Sequence, residues 1–405
     1  MPVWREGTAR WVKEGKLLLL GVIQEQHAER CRLLAQWQGF NWPILHDPIN
    51  LLELTGVPIL VAIDEHGIVR TTKPALASLQ ADFLDKTFAD DAKATNPEPV
   101  GPSLKKDTRA PDWDALRAEA RKADSARSCR ALGDALALWG GDKSLDEALT
   151  AYSRVVQIDP KNGPAWFRLG VCYRRRFDSS QPRLGDFQSA IDHWGKALEL
   201  DPNWYIWRRR IQQYGPRLDQ PYSFYDWVTE AEKAVRERGD QPIRLTVRPA
   251  GAEVAHPIKA LPPADETIRN PDPDGKVHRD ADKLIQSEVT VVPGQVRPGK
   301  SARVHLIFRP NPKKQIHWNN EADPFRLWVD SPKDWQVSDR LLQAPKPPQA
   351  TSTETRTLTF EIIVPATARG KLRLPVYALY HVCDDVGGQC RFLRLDIPVD
   401  ITIQR

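Results

Sequence analysis

The stretch Val376-Tyr-Ala-Leu-Tyr380-His-Val-Cys383-Asp-Asp-Val-Gly-Gly-Gln-Cys390-Arg-Phe392 decides how the C-terminal third of the chain is read. An apolar-rich run, Leu372–Val382, is followed by Gly387-Gly388 and then by a second run, Phe392–Ile403. Alternation at period two marks half-buried strands, and paired glycines mark a turn. Upstream, Glu288–Val292, Ala302–Phe308, Phe325–Val329 and Leu358–Val364 have strand character, with turns such as Pro293-Gly294 and Pro298-Gly299 between them. Several such strands predict an all-β sandwich over residues 283–405. Residues 241–282 are rich in Pro, Asp and Gly and read as an irregular linker.

Further upstream the pattern becomes helical. Gln157-Ile-Asp159-Pro160 and Glu199-Leu-Asp201-Pro202 close two similar segments, each carrying Ala-x3-aromatic at the same distance from its proline: Ala148/Tyr152 and Ala190/Trp194. Proline cannot continue a helix, so each Asp-Pro is a stop. Trp166-x2-Leu169-Gly170-x2-Tyr173 opens the intervening helix. The prolines are 42 positions apart, against a tetratricopeptide period of about 34. The loop from Phe177 to Gly185 accommodates the excess. Residues 112–240 thus resemble a tetratricopeptide array of about two repeats with caps. Such arrays bind peptide segments, which makes Arg174, Arg175, Arg208 and Arg209 candidate contacts for an acidic partner. The alternative is that these arginines are solvated helix faces.

The N-terminal segment mixes both patterns. Lys16–Ile23 has the length and apolarity of a buried strand, and Ala28–Trp37 the spacing of an amphipathic helix with Cys31 facing inward. Trp42–Leu45 reads as a strand, Asp47-Pro48 as the start of a helix to Leu54, and Ile59–Ile63 as a strand. Asp64-Glu-His-Gly67 is a hairpin turn into Ile68–Arg70, and a closing helix is expected from about Ala75 to Phe88. This order calls for a mixed sheet with helices on its faces. A Pro-, Lys- and Asn-containing linker, residues 93–111, follows.

Gly21-Val22, Trp42-Pro43-Ile44-Leu45 with Asp47, Gly56-Val57-Pro58 and Ile63–Val69 give residues 1–92 a resemblance to the thioredoxin superfamily, nearest its TlpA-like and peroxiredoxin-like (AhpC/TSA redoxin) bacterial branch. The resemblance implies an α/β thioredoxin-like domain in which Pro58 is the cis-proline beside the redox site. The family's Cys-x-x-Cys, however, is absent from this sequence. Met1-Pro2 matches the interior of the family's first helix. Either the first strand and the redox turn precede Met1, or the motif has been lost. Cys31 lies in an apolar stripe and reads as a buried structural thiol.

The stretch quoted first resembles the N-terminal periplasmic domains of DsbD-type thiol–disulfide transporters, which are immunoglobulin-like and carry an exchangeable cysteine pair in a late hairpin. The resemblance makes Cys383 and Cys390, with six residues between them, the matching pair. Strands joined by a glycine turn bring such residues within disulfide reach. A structural disulfide, an exchanging pair and reduced thiols all remain open, with a metal site that includes His381 as a minor alternative. His317-Trp318-Asn-Asn320-Glu321 is a further polar–aromatic cluster that could line the same end of the sandwich.

Composition sets outer limits. Of 405 residues, 41% are hydrophobic and 27% charged, ordinary for a globular chain, and the net charge of +5 does not call for nucleic acid. Five cysteines are too few for a disulfide scaffold. No run of 18 apolar residues spans a membrane. No catalytic triad, phosphate loop, metal cluster or cofactor motif can be placed. Two functions follow as expectations: an oxidoreductase-class thiol–disulfide relay that docks a protein partner on its helical array, or a non-enzymatic tetratricopeptide adaptor with degenerate redox domains. The relay implies an extracytoplasmic setting if the N-terminus is incomplete. Otherwise the expected setting is the cytoplasm.

Overall fold

The computed structural model describes residues 2–89, 111–263, 265, 267–384 and 388–404. It mixes helices and antiparallel sheets. The elements are α1 (Pro2–Lys13), β1 (Gly21–Ile23), α2 (Ala28–Gln38), β2 (Ile44–His46), β3 (Ala62–Ile63), β4 (Val69–Thr71), α3 (Trp113–Ala123), α4 (Ala126–Trp139), α5 (Leu145–Ile158), α6 (Gly163–Phe177), α7 (Asp186–Leu200), α8 (Tyr205–Gln212) and α9 (Val228–Glu237). Ten strands follow: β5 (Ile285–Val292), β6 (Ser301–Pro310), β7 (Ile316–Asn319), β8 (Arg326–Val329), β9 (Gln336–Val337), β10 (Leu341–Gln343), β11 (Thr351–Ser352), β12 (Arg356–Ile363), β13 (Lys371–Asp384) and β14 (Cys390–Thr402). They group into two units. One is Met1–Pro160 with Asn203–Ile206 and Val228–Thr246. The other is Lys161–Pro202, Trp207–Trp227 and Val247–Arg405.

In the first unit, β1 pairs in parallel with β2, and β3 with β4 through a bulge, as two separate two-stranded sheets. Ala62, Leu79 and Phe83 are buried against Trp4, Trp11 and Leu17, so α1 covers one side. The other side is bare. Leu18 is 55% exposed, and Leu20, Val22, Leu45, Ile59, Val61 and Ile63 are exposed as well. Lys16–Ile23 is therefore not the buried strand its apolarity suggested. Only its last three residues pair, and every second side chain faces out.

Two expected helices also change. After Asp47 the chain turns instead of coiling: Asp47 Oδ1 accepts the Leu51 N–H at 2.8 Å and Asn50 Oδ1 the Leu54 N–H at 3.0 Å. Asn50 and Glu53 take φ of 51° and 53°. Short polar side chains that capture nearby backbone donors compete with helix in this way. The closing helix shrinks to a π-helical turn, Gln80–Leu84.

Helices α3 and α4 of this unit begin at side-chain caps. Asp112 accepts from Ala115 N, and Ser125 forms a reciprocal pair with Ser128. The α4–α5 hairpin closes where Gly133 meets the Tyr152 ring, whose hydroxyl donates to Asp134 at 2.7 Å. Arg117 forks onto Glu147 at 2.7 and 2.8 Å.

The second unit repeats this hairpin with α6 and α7. Asn162 caps α6 with Pro164 in its first turn, and Gly170 lies against Trp194, the counterpart of Gly133 against Tyr152. The six expected strands are found with ends shifted by one to three residues, β8 losing Phe325 and the others gaining residues at one or both ends, and four short strands are added. β5, β6, β12 and β9 form a four-stranded sheet. β10, β8, β13, β7 and β11 form a second sheet, with β14 on the other edge of β13. Both contribute to one core that includes Val304, Leu306, Phe308, Trp318, Phe360 and Tyr380. Among the described residues of 241–282 there is one 3-10 turn, Gly251–Val254, and no named strand or α-helix.

Behind the four-stranded sheet lies a buried polar layer. His305 Nε2 is 2.8 Å from the Tyr214 carbonyl. Glu361 Oε1 accepts from the Arg217 backbone at 2.9 Å, from Arg217 Nε at 3.1 Å and from Arg303 Nη1 at 3.2 Å.

Candidate functional site

The site is built on the tip of the β13–β14 hairpin. The hairpin pairs without a slip from Lys371↔Thr402 to Cys383↔Cys390. Asp384 N donates to Gln389 O at 3.1 Å, and Gly388 supplies a left-handed φ of 64° in the turn. Cys383 and Cys390 are joined by a disulfide. Side chains alternate along β13: Tyr380 and Val382 enter the core, so His381 and Cys383 stand on the outer face. Cys383 is only 7% exposed, whereas Cys390 is an exposed residue, so the two halves of the bond differ in exposure.

The surroundings of the pair are well braced. His381 stacks on Phe392 with centroids 4.5 Å apart, and burial pushes its pKa below the ordinary value. On the other flank, β7 pairs Cys383 with His317. Asn319 Nδ2 lies 3.9 Å from Cys390 Sγ. Strand β7 is held by Trp318, which is fully buried, packs edge-on against Phe325 and Tyr380, and donates from Nε1 to Glu354 O at 2.9 Å. Tyr380 in turn donates to Asp280 Oδ2 at 2.8 Å. Beside the hairpin tip is a cavity of about 310 Å³ whose lining includes Cys383, Leu284, Ile316, Val382, Lys314 and Arg391.

The other candidate residues are distributed differently. Pro58 belongs to the first unit and Cys383–Cys390 to the second. The Val57–Pro58 peptide bond is cis. Cys31, Cys129 and Cys172 are buried and outside the disulfide, and burial raises the Cys129 thiol above its usual range.

Arg174 is not a surface residue as expected. It is 6% exposed, forks onto Asp178 at 2.9 and 3.0 Å, and lies over the Phe177, Phe187 and Tyr214 rings. A guanidinium so enclosed has no face left for a partner. Arg209 lies over Tyr222 and Phe224. Arg175 is half-buried, and Arg208 is exposed with Nη2 on the Pro202 carbonyl.

The sequence put the His317–Glu321 cluster at the same end of the sandwich as the cysteines, and the register sets His317 directly opposite Cys383. Its proximity to Trp318 and Asn319 in a polar–aromatic cluster was the available signal, but the partner strand was not legible. No described helix is long and apolar enough to cross a membrane.

No protein-family model matches this chain, and no curated protein matches it. Among solved structures, a protein described as "AvmM Catalyzes Macrocyclization in Alchivemycin A Biosynthesis" aligns at 10% identity and a TM-score of 0.21, over 30% of this chain and 90% of its own. The major subunit of aggregative adherence fimbriae type I from Escherichia coli aligns at 12% identity and 0.18, over 32% and 98%. The bacterial hydrophobin BslA aligns at 11% and 0.16, over 30% and 95%. At such TM-scores none of them carries an argument about fold or function.

Proposed function

We propose that the Cys383–Cys390 bond is exchanged with a dithiol protein partner, and that this chain is a thiol–disulfide relay of the oxidoreductase class. In this reading residues 1–92 are a thioredoxin-like domain without its own cysteine pair. Residues 112–240 are a tetratricopeptide-like array that holds the partner, with Arg175 and Arg208 as its remaining arginine contacts. Residues 283–405 are an immunoglobulin-like domain of the DsbD type. The setting is an oxidising one, outside the cytoplasm, where such a bond persists.

The observation that carries the reading is the position of the disulfide. It joins directly opposed residues at the exposed end of a hairpin already held by an unbroken ladder. A bond closing so short a loop adds less chain-entropy stabilisation than one closing a long loop. Its placement suits exchange better than stapling, because Cys390 is an exposed residue that an attacking thiolate can approach, whereas Cys383 is buried.

Equilibrating the full chain in glutathione buffers and counting free thiols gives the reduction potential. A value above about −300 mV is expected, since structural disulfides lie below that. A Cys383→Ser variant, which leaves the thiol of the exposed Cys390, is expected to trap a mixed disulfide by attacking the disulfide form of the partner, one partner sulfur leaving as thiolate. A potential well below −300 mV would make the bond a staple.

A further inference from the structure

We infer that His317 is the proton donor and acceptor for exchange at Cys383; this rests on the reading of Cys383–Cys390 as an exchangeable bond. The argument begins with register. On one side Cys383 opposes Cys390, and on the other it opposes His317. Directly opposed residues of antiparallel strands share a face, with Cβ atoms about 4.5–5.5 Å apart. Ile316 and Trp318, the neighbours of His317, are both in the core, which sends His317 to the outer face with the sulfurs. His317, Cys383 and Cys390 therefore form one row across β7, β13 and β14.

The chemistry needs a proton at the middle of this row. A partner thiolate attacks the Sγ of the exposed Cys390. A new sulfur–sulfur bond forms to Cys390, the Cys383–Cys390 bond breaks, and its electron pair stays on Cys383 Sγ. That thiolate is generated on a residue that is 7% exposed, where an unpaired charge is costly. His317 as imidazolium gives it a proton, leaving a neutral thiol and a neutral imidazole. The partner's second thiolate then attacks the partner sulfur of the mixed disulfide. Cys390 leaves as a thiolate and takes a proton from water. The partner departs as a disulfide, having lost two electrons, and the hairpin holds two thiols. In the return direction His317 removes the Cys383 proton and creates the attacking thiolate.

The other charged or titratable groups around His317 are less well placed. Asp384 and Arg391 oppose Ile316 and Val382 and so stand on the inner face, with Arg391 held by Asp282 at 3.1 Å. Lys314 precedes β7 and lines the cavity. Past β11, Glu354 is engaged by Arg356 at 2.9 Å. His381 shares the outer face but opposes Phe392, one row away from the disulfide. The Asn319 amide is neutral and reaches Cys390 rather than Cys383.

The test is the rate of disulfide reduction in the full chain by dithiothreitol, followed by acid-quenched thiol counting and normalised to dithiothreitol thiolate. In the unaltered chain the normalised rate is expected to rise at least tenfold as pH falls from about 8 to 5, as general-acid assistance to the leaving thiolate requires. His317→Gln is expected to flatten the profile, and His381→Gln to leave it unchanged. A flat profile in the unaltered chain overturns the inference without needing any variant. So does a His317→Gln profile that superposes on the unaltered one, or a profile flattened by His381→Gln alone. If the folded chain is not reduced at any pH, both the exchange reading and this inference fall. Ready reduction with no dependence on His317 removes the inference alone.

Discussion

Gly170 lies so close to Trp194 that a Cβ at position 170 would stand 2.4 Å from the indole Cδ1 and Nε1 and 2.9 Å from the Ala190 carbonyl oxygen. Trp194 is fully buried, and its Nε1 donates to the Phe167 carbonyl at 3.2 Å, so the ring has nowhere to withdraw. Gly170→Ala is therefore expected to destabilise the second unit by at least 1–3 kcal/mol, roughly the range for overpacking a tight core. Urea unfolding followed by tryptophan fluorescence measures it. A loss under 0.5 kcal/mol, on the order of a neutral surface change, would show that α6 and α7 can separate freely.

His305 should give stability a pH dependence. Burial, reinforced by the Arg303 charge, pushes its pKa down from 6.5 to about 3. The ring is neutral in the folded chain and sits against the Tyr214 carbonyl. Between those two values the unfolded chain binds a proton that the folded chain refuses, so stability is full above about 6.5 and falls as pH drops toward 3. The slope from this one group is at most about 1.4 kcal/mol per pH unit. His305→Gln should remove that component. Unfolding free energies from pH 7 to 4 check the sign, and identical slopes for both chains would refute it.

Glu361 holds two arginines at once, through the Arg217 and Arg303 contacts on its Oε1. Arg303 is buried, and that burial lowers its pKa to about 10. Glu361→Gln leaves this guanidinium buried without its carboxylate, which is expected to cost about 3–5 kcal/mol. Adding Arg303→Met should recover much of that loss, because the stranded charge goes with it. A double variant no more stable than Glu361→Gln would show that the cost lies elsewhere.

Reducing Cys383–Cys390 should weaken the fold only modestly. The bond spans seven positions, and closing a loop of that size is worth about 2.5 kcal/mol by chain entropy. The β13–β14 ladder remains, so unfolding after treatment with dithiothreitol is expected to stay cooperative with a lower midpoint. Near-UV circular dichroism collapsing on reduction would contradict this.

Much of this architecture has a local cause that the sequence records. Asp159-Pro160 and Asp201-Pro202 end α5 and α7 because proline denies the next hydrogen bond. The strands from Ile285 to Thr402 follow one-sided burial, which repeats every second residue whatever the partner strand is. The Cys383/Cys390 pairing was also within reach, since the turn that aligns the two residues lies between them.

What escaped a local reading depends on distant chain. Leu17–Ile23 is apolar whether or not something covers it, and only the packed structure leaves Leu18, Leu20 and Val22 exposed. Arg174 carries the same charge on a surface or in a ring-lined site, and Phe187 and Tyr214 decided which. His317 reaches Cys383 because β7 returns to β13 across some sixty residues. Sequence alone determined which residues alternate and where elements stop, because those signals act over a few bonds. Tertiary structure decided which strand lies beside the disulfide, because lateral pairing is set by burial of the whole sheet and leaves no trace in the spacing of either strand.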